Sequence, residues 1–407
     1  MLNGRPLEGV RVVEVTLWGF VPSAAAILAD WGATVLKIEH PEHGDPMRGL
    51  VTSGLMPGGA GVNFMWEFNN RNKRGVGIDL AQPEGREALY KLVEGADVFL
   101  TSFLPDARRR LGIDVDDIVR VNPRIIYARG SGQGPRGPDA EKGGYDGASF
   151  WARGGPAMGA TRDGASEVVG QPGPQFGDSL SGGMIAGGIA AALFNRERTG
   201  EGSVVDVSLL GTAMWAMAPG IMASALLGID RMPMGSRGNA PNPGVLTYRT
   251  SDGRFVSLVL LQPDRYWADF CQRIGRPDLA TDLRFADATE RAKHNQECIN
   301  ILDQVFGSHP LAHWKQALAD FEGVWAVPQT VRELHDDPQA IANEYLRDVT
   351  TQEGTTFTMV AGPMQFNLTP PDFQRAPDVG EHTDEELLAA GYTWDELVEL
   401  KVKGAIT

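Results

Sequence analysis

Leu7-Glu-Gly-Val-Arg-Val-Val-Glu14, Ser23-Ala-Ala-Ala-Ile-Leu-Ala-Asp30 and Ala33-Thr-Val-Leu-Lys-Ile-Glu39 are the segments whose reading decides the fold. Val10, Val12, Val13 and Val15 are β-branched and follow the turn-forming pair Glu8-Gly9, so residues 7–14 read as a strand. The alanine-rich run 23–30 reads as a helix with Ser23 as its N-cap, and Gly32 ends it. Residues 33–39 read as a second strand. Together they make one strand–helix–strand unit of the length that parallel strands require.

Outward from this unit the pattern repeats. Residues 75–80 read as a strand, 83–94 as a helix opened by Pro83, and 96–101 as a strand. Residues 113–122 read as a helix and 124–129 as a strand. This alternation predicts an α/β fold, a doubly wound domain whose ligands lie beyond the carboxyl ends of the strands. Those ends fall at 14–18, 39–45, 101–105 and 130–145. No GxGxxG follows the first strand, where the sequence is Thr16-Leu-Trp-Gly-Phe-Val-Pro22, and this argues against a nicotinamide dinucleotide.

Residues 130–174 are rich in Gly and Pro and read as loops. They lead to Gln171-Pro-Gly-Pro-Gln-Phe-Gly-Asp178, a turn that delivers a carboxylate to the start of a helix of small residues. Gly183, Gly187 and Ala191 share one face, which permits close approach. Free N–H groups at a helix start favour an ionised carboxylate. Asp178 therefore reads either as a helix cap or as an exposed anionic nucleophile or base. After a strand at 203–208, the uncharged run 207–229 is long enough to span a bilayer, but Pro219-Gly220 should break it into two buried core helices. From Met232 the composition shifts to Pro, Gly and Asn. A hairpin over 244–249 and 254–261 turns at Asp252-Gly253, and helices follow at 264–274, 288–306 and 311–322. Residues 328–346 have a helical pattern, 370–377 are extended, and Thr383-Asp-Glu-Glu386 forms a capping box. The division expected is a large domain at 1–205, linker helices at 206–240, a small α+β domain at 241–325, and a return linker with C-terminal segment at 326–407.

Composition sets the outer limits. The 407 residues are 42% hydrophobic and 22% charged, ordinary for a chain with a large core. A net charge of −15 argues against a nucleic-acid partner. The two cysteines fit a reducing compartment, and the seven histidines form no paired motif, so no metal is expected. No signal peptide or membrane span is expected, which points to a cytoplasmic protein. Arg48, Arg71, Lys73, Arg74, Arg108, Arg109, Arg110, Arg129, Arg136 and Lys142 gather near the predicted strand ends. They read either as loop faces with local acidic partners or as the seat of a phosphorylated ligand. Trp18, Trp66, Phe150 and Trp151 read either as core or as the wall of an apolar slot.

Residues 7–14, the run Leu28-Ala-Asp-Trp-Gly-Ala-Thr-Val-Leu-Lys-Ile-Glu-His-Pro41, Gly44-Asp45 with Arg48, and Asn70-Arg-Asn-Lys-Arg74 resemble the class III (CaiB/BaiF type) CoA transferases. So do Ile78-Asp-Leu80, Asn122-Pro123, Gly177-Asp178 with Gly182-Gly183, and Arg198-Thr-Gly-Glu-Gly202. The resemblance implies a Rossmann-like large domain completed by the C-terminal segment, a smaller domain, and two chains interlocked as a homodimer. It implies that CoA enters as part of the substrate, with no tightly bound cofactor, and that acyl-CoA and carboxylic acid are the partners. Asp178 matches the nucleophile, which forms an acyl-aspartyl anhydride and then an aspartyl-CoA thioester. Asp146 and Tyr145 match supporting positions. Phe103 and Arg110 match positions along CoA, Lys142 lies near another, and His40, Arg74 and Leu80 fall near its nucleotide end. The family also holds α-methylacyl-CoA racemases, which pair the Asp with a His where this chain has Tyr145. The ordinary pKa of a phenol, about 10, suits proton transfer near neutrality poorly, which favours transfer over racemisation. A CoA-binding protein without catalysis is the third alternative. Residues 239–244 depart from the glycine run of formyl-CoA transferases, and the tryptophans suggest a larger or more apolar acyl group.

Overall fold

The computed structural model describes residues 5–59, 61–230, 237 and 240–407. Asn239 and most of the segment before it, part of the expected domain boundary and of the stretch compared with the glycine run, lie outside the described residues.

The chain runs β1 (Arg11–Val15), α1 (Phe20–Asp30), β2 (Thr34–Glu39), α2 (Phe64–Asn70), β3 (Arg74–Gly77), α3 (Pro83–Glu94), β4 (Val98–Thr101), α4 (Pro105–Leu111), α5 (Val115–Val121) and β5 (Ile126–Ser131). A π-helical turn, Asp146–Ala152, precedes α6 (Pro156–Ala160), α7 (Phe176–Thr199), β6 (Ser203–Ser208), α8 (Leu209–Ala216) and α9 (Ala218–Leu227). β1 to β6 form one sheet in the order β3-β2-β1-β4-β5-β6, with every pair parallel. The direction of winding reverses between β1 and β4, which opens a crevice at their carboxyl ends.

Successive strand residues point to opposite faces, so each strand feeds two cores. Val12, Val35, Val98 and Ile126 pack against Ala24, Leu28, Ile185 and Ile189 of α1 and α7. Val13, Leu36, Val76 and Phe99 pack against Leu89 and Leu92 of α3 and against the C-terminal residues Leu387, Leu397 and Leu400. Each large aliphatic side chain so buried contributes about 1.5–3 kcal/mol.

By contacts the chain divides into two units, 1–232 with 339–407, and 233–338. In the second unit β7 (Thr247–Arg249), β8 (Phe255–Leu258), α10 (Pro263–Arg273), α11 (Ala288–Lys293), α12 (Asn295–Gly307), α13 (Leu311–Ala317) and β9 (Trp325–Ala326) enclose their own aromatic core around Trp267, Phe270, Phe306 and Trp314. α14 (Pro338–Ala342) leads back to the first unit, where β10 (Leu346–Thr350), β11 (Thr356–Val360), α15 (Thr383–Ala389) and α16 (Trp394–Val402) follow. Ile406 bridges Ile78, and the Thr407 amide donates to the Gly77 carbonyl at 3.2 Å, so the chain's last residues lie along β3.

Several expectations are corrected. α1 begins at Phe20 with Gly19 as N-cap, and Ser23 lies inside it. The apolar run breaks at Met217, one residue before α9, because Pro219 sits in the first turn, where its missing N–H costs nothing. α8 and α9 meet at 67°. α9 is not a core element, since none of its residues is buried and Leu226 is 81% exposed. No single helix among the described residues is long and apolar enough to cross a membrane. The helix expected over 288–306 divides at His294, and 328–346 is helical only in short pieces. Thr383 is not a cap; its hydroxyl donates to the Gly380 carbonyl, and the capping box belongs to Thr393 and Glu396 of α16.

The small-residue face of α7 also divides differently. Gly182, not Gly183 or Gly187, meets α1: a Cβ there would lie 2.0 Å from Ser23 Oγ, 3.0 Å from Ala24 N and 3.1 Å from Phe20 O. A Cβ on Gly183 or Gly187 would meet nothing within 4 Å. Gly182→Ala must push α1 and α7 apart, and chemical denaturation should record a loss of about 1–3 kcal/mol.

Candidate active site

Asp178 is the third residue of α7, so it lies in the first turn but does not cap it. The cap is Gln175, held in the left-handed region at φ 62°. Its amide exchanges two buried hydrogen bonds with Asn69: Asn69 Nδ2 donates to Gln175 Oε1 at 2.9 Å, and Gln175 Nε2 donates to Asn69 Oδ1 at 2.5 Å. The capping carboxylate comes instead from Asp146, at the start of the π-helical turn. Both of its oxygens lie 3.0 Å from the Gly177 amide, and Gln171 Nε2 donates to it at 2.9 Å. The Asp178 amide also donates to it. Position 177 has no room for a side chain, because a Cβ would lie 2.3 Å from Phe150 Cγ and 2.4 Å from Asp146 Oδ1. On the opposite side Ser23 Oγ donates to the Phe20 carbonyl at 2.7 Å and reaches the Asp178 carbonyl at 3.4 Å.

The two carboxylates thus have unequal surroundings. Asp146 receives the donors, although burial still raises it above the usual carboxylate range. The Asp178 carboxylate accepts no hydrogen bond from the described residues, and burial together with the Asp146 charge pushes it up to about 7. This corrects the expectation of an exposed carboxylate favoured in its ionised form by the helix start. The helix-end effect is typically about 0.3–1 kcal/mol, and loss of hydration outweighs it here. The amides expected to be free at this helix start are also engaged: those of Gly177 and Asp178 by Asp146, and that of Ser179 by the Gln175 carbonyl.

A second polar group supports the loop after β1. Lys73 Nζ lies 2.8 Å from Glu14 Oε2, and Lys37 Nζ lies 2.9 Å from Asp45 Oδ2 and 3.6 Å from Glu14; all four side chains are fully buried or nearly so. Lys37 donates to the Thr16 carbonyl at 2.8 Å and Lys73 to the Pro22 carbonyl at 3.0 Å. Asp45 Oδ1 accepts the Trp18 amide at 3.2 Å. Burial pulls Lys73 down to about 8, against the opposing pull of Glu14. Burial also acts to lower Lys37, but Asp45, Glu14 and Glu39 outweigh it and its pKa ends raised.

Of the residues anticipated for CoA, His40, Leu80 and Phe103 line one cleft of ≈ 350 Å³ with Val15, Thr16 and Ile78 at the carboxyl ends of the strands. Arg110 is exposed, forms no ion pair among the described residues, and adjoins Leu111 of the same cleft. Lys142 is exposed and pairs with Asp139 at 2.7 Å. Arg74 does not join this group: it pairs with Glu385 and Glu386 of α15 and lines a separate cavity with Arg5 and Thr34. Most of the other basic residues are spent on structure. Arg71 grips Asp30, Arg48 Glu39, Arg108 Asp114, Arg109 Asp106 and Arg129 Asp206. Arg129 lies in β5, within the stretch read as a strand, while Arg108, Arg109 and Arg110 lie on α4, where a loop face was expected.

The aromatic residues also separate. Phe150 is core, and Trp66 is buried beneath the Arg48 guanidinium, 3.7 Å from its ring centre. Trp151 packs edge-on against Phe176 at 6.1 Å, and Trp18 edge-on against Tyr145 at 6.1 Å. Sequence reasoning missed the roles of Gln175, Asn69, Gln171 and the Lys37–Asp45 pair. Asp45 lay within a segment that carried the family resemblance, but nothing in the local pattern announced the left-handed Gln175.

A profile of CoA-transferase family III matches residues 7–383. The (R)-2-hydroxy-4-methylpentanoate CoA-transferase of Clostridioides difficile is 34% identical over 396 residues, 97% of this chain and 98% of that protein. The cinnamoyl-CoA:phenyllactate CoA-transferase of Clostridium sporogenes is 31% identical over 405 residues, 98% of this chain and 97% of that one. The crystal structure of a CAIB/BAIF family protein from Brucella suis superposes with a TM-score of 0.80 at 27% identity, covering 95% of this chain and all (100%) of that one.

Asp178 has a folded-state pKa above its ordinary value, so its ionisation opposes folding as pH rises from about 4 through about 7. Asp178→Asn should therefore be more stable than wild type at pH 8 and no more stable at pH 3. Denaturant midpoints at the two pH values check this.

Proposed function

The chain belongs to CoA-transferase family III, and on that premise we propose that Asp178 is the nucleophile through which it carries CoA from an acyl-CoA donor to a carboxylic acid. It is a CoA transferase, acting on acyl-CoA and carboxylate substrates. The observation that carries the assignment is the contrast within the carboxylate pair: Asp146 is held by N–H donors, whereas the oxygens of Asp178 accept none from the described residues and keep their lone pairs for attack.

In the proposed cycle Asp178 Oδ attacks the thioester carbonyl, the C–S bond breaks, and CoA leaves as thiolate, giving an acyl-aspartyl anhydride. The thiolate attacks the aspartyl carbonyl, releases the donor acid and leaves an aspartyl-CoA thioester. The acceptor carboxylate displaces the thiolate to form a second anhydride. The thiolate then attacks the acceptor acyl carbon, yielding the new acyl-CoA and free Asp178. A carboxylate with a pKa near 7 is ionised in useful amount at neutrality and is more basic than an ordinary aspartate, which suits nucleophilic attack. Asp146 is a positioning residue, holding the first turn of α7.

The strand order β3-β2-β1-β4-β5-β6 supports reading the sheet as Rossmann-like. We place CoA along the cleft of His40, Leu80 and Phe103, with Arg110 and Lys142 reaching its phosphates; Arg74, tied to α15, is the weakest member of that set. The relatives named for 2-hydroxy-4-methylpentanoate and phenyllactate favour branched or aryl acids as acceptors. Two buried thiols, Cys271 and Cys298, fit a cytoplasmic setting. An interlocked homodimer accounts for Trp215, Met222 and Leu226, which are 74%, 63% and 81% exposed on α8 and α9.

Asp178→Ala should lower transfer by more than about 1,000-fold, and hydroxylamine should convert Asp178 of the wild type, incubated with acyl-CoA, to a hydroxamate visible by mass spectrometry. Deuterium wash-in at the α-carbon without acceptor acid is the outcome that favours racemisation. Trp215→Asp with Leu226→Asp should halve the mass found by light scattering.

A further inference from the structure

Trp18 occupies a conformation that a bulky side chain rarely adopts. Its φ is 67°, in the left-handed region, which is strained for such a residue and persists only where the surroundings impose it. The imposing groups are on both sides. The Trp18 amide donates to Asp45 Oδ1 at 3.2 Å, and Asp45 is anchored by Lys37 at 2.9 Å. Lys37 also grips the Thr16 carbonyl at 2.8 Å, and the Leu17 amide donates to Ser102 Oγ at 2.9 Å. Asp45 is 1% exposed and Lys37 fully buried, so the loop has little freedom to relax.

The strain fixes where the indole stands. Trp18 lies edge-on to Tyr145, ring centres 6.1 Å apart and planes at 88°. Tyr145 directly precedes Asp146, whose carboxylate holds the amides of Gly177 and Asp178. Gly19, the next residue after Trp18, abuts the side chain of Gln175, the cap of the same helix. Hence the two rings come from two segments that each touch the start of α7, and they meet each other edge-on. Trp18 is only partly buried and Tyr145 is 65% exposed, so the pair leaves apolar ring surface uncovered on the two segments that hold the first turn of α7, where Asp178 lies.

We propose that Trp18 is the specificity-determining residue for the acyl group, forming with Tyr145 a wall that receives branched or aryl acyl chains on Asp178. This rests on Asp178 as the acylated residue. An apolar acyl group covering those rings gains contact that an acetyl group cannot make, and the difference belongs to the acyl portion alone, since both donors share the same CoA.

The test is a ratio: kcat/KM for phenylpropanoyl-CoA over that for acetyl-CoA with a common acceptor acid. Trp18→Gly suits the φ of 67° without strain and should fold at least as readily. It should lower the ratio by about 10-fold or more, the scale of a lost apolar contact in a substrate pocket. Trp18→Phe, which keeps an edge-on ring, should stay within about threefold of wild type. Tyr145→Ala, at an exposed position, should move the ratio in the same direction as Trp18→Gly. A ratio unchanged in both Trp18→Gly and Tyr145→Ala overturns the proposal. If no donor turns over, the preference is read as a ratio of dissociation constants by calorimetry; both variants should again lower it, and an unchanged ratio in both again overturns the proposal. Retained transfer by Asp178→Ala, by contrast, strikes the nucleophile assignment and is read on a separate variant.

Discussion

The carboxylate of Asp146, turned against the first amides of α7, is the contact on which the site depends. It replaces the cap that a helix normally takes from the side chain at its own N-cap position, here Gln175, and it needs position 177 to lack a side chain. Because Asp146 meets those amide donors, it can remain charged in a mostly dry place. Its charge then acts on Asp178, which has burial but, among the described residues, no donor to offset it. Two carboxylates of the same chemistry are thereby separated into one that binds backbone and one whose oxygens accept no hydrogen bond from the described residues. Close packing of α1 on Gly182 completes the arrangement, since any spreading of the two helices would also shift the Ser23 contact to the Asp178 carbonyl.

The electrostatics of the strand ends follow a different logic from the one their composition suggests. A chain with a net charge of −15 places many of its arginines and lysines near one edge of the sheet, and most of them neutralise partners within the fold. Lys37 and Lys73 go furthest, forming with Glu14 and Asp45 a dry, internally balanced group. Such groups gain little over an apolar core of equal volume, because desolvation consumes the attraction. Here the group has a second use, since its spare hydrogen bonds pin the carbonyls of Thr16 and Pro22 and set the path of the loop between β1 and α1. Few cations remain for a ligand, and Arg110 is among them.

Much of the fold could be read in the chain because the signals are local. Val12 and Val13 announce a strand buried on both faces, Pro83 opens α3 where expected, and Asp252-Gly253 turns a hairpin. Residue-by-residue resemblance singled out Asp178 and Asp146, and gathered His40, Leu80 and Phe103, which share one cleft. What escaped was set by distant partners. Ser23 has the chemistry of a cap but stands one turn inside its helix. Gln175 and Trp18 have positive φ values that no propensity favours; each is imposed by contacts from elsewhere in the chain. The charge of Asp178 could not be inferred from its place at a helix start, because burial and a neighbour more than thirty residues earlier decide it.

The first unit is built from two separated stretches of chain, with residues 233–338 between them. One layer over β3 and α3 is supplied by Leu387, Leu397 and Leu400, and Thr407 closes on Gly77. On a translating ribosome, the second unit therefore has all its residues before the first can cover its sheet. Until those last helices emerge, Val76, Ile78 and Leu89 lack part of their cover, and the unit that carries Asp178 must wait for them. Order of synthesis thus runs against order of enclosure: the inserted unit can finish early, while the unit that carries Asp178 is sealed only once residues 387–407 have been made.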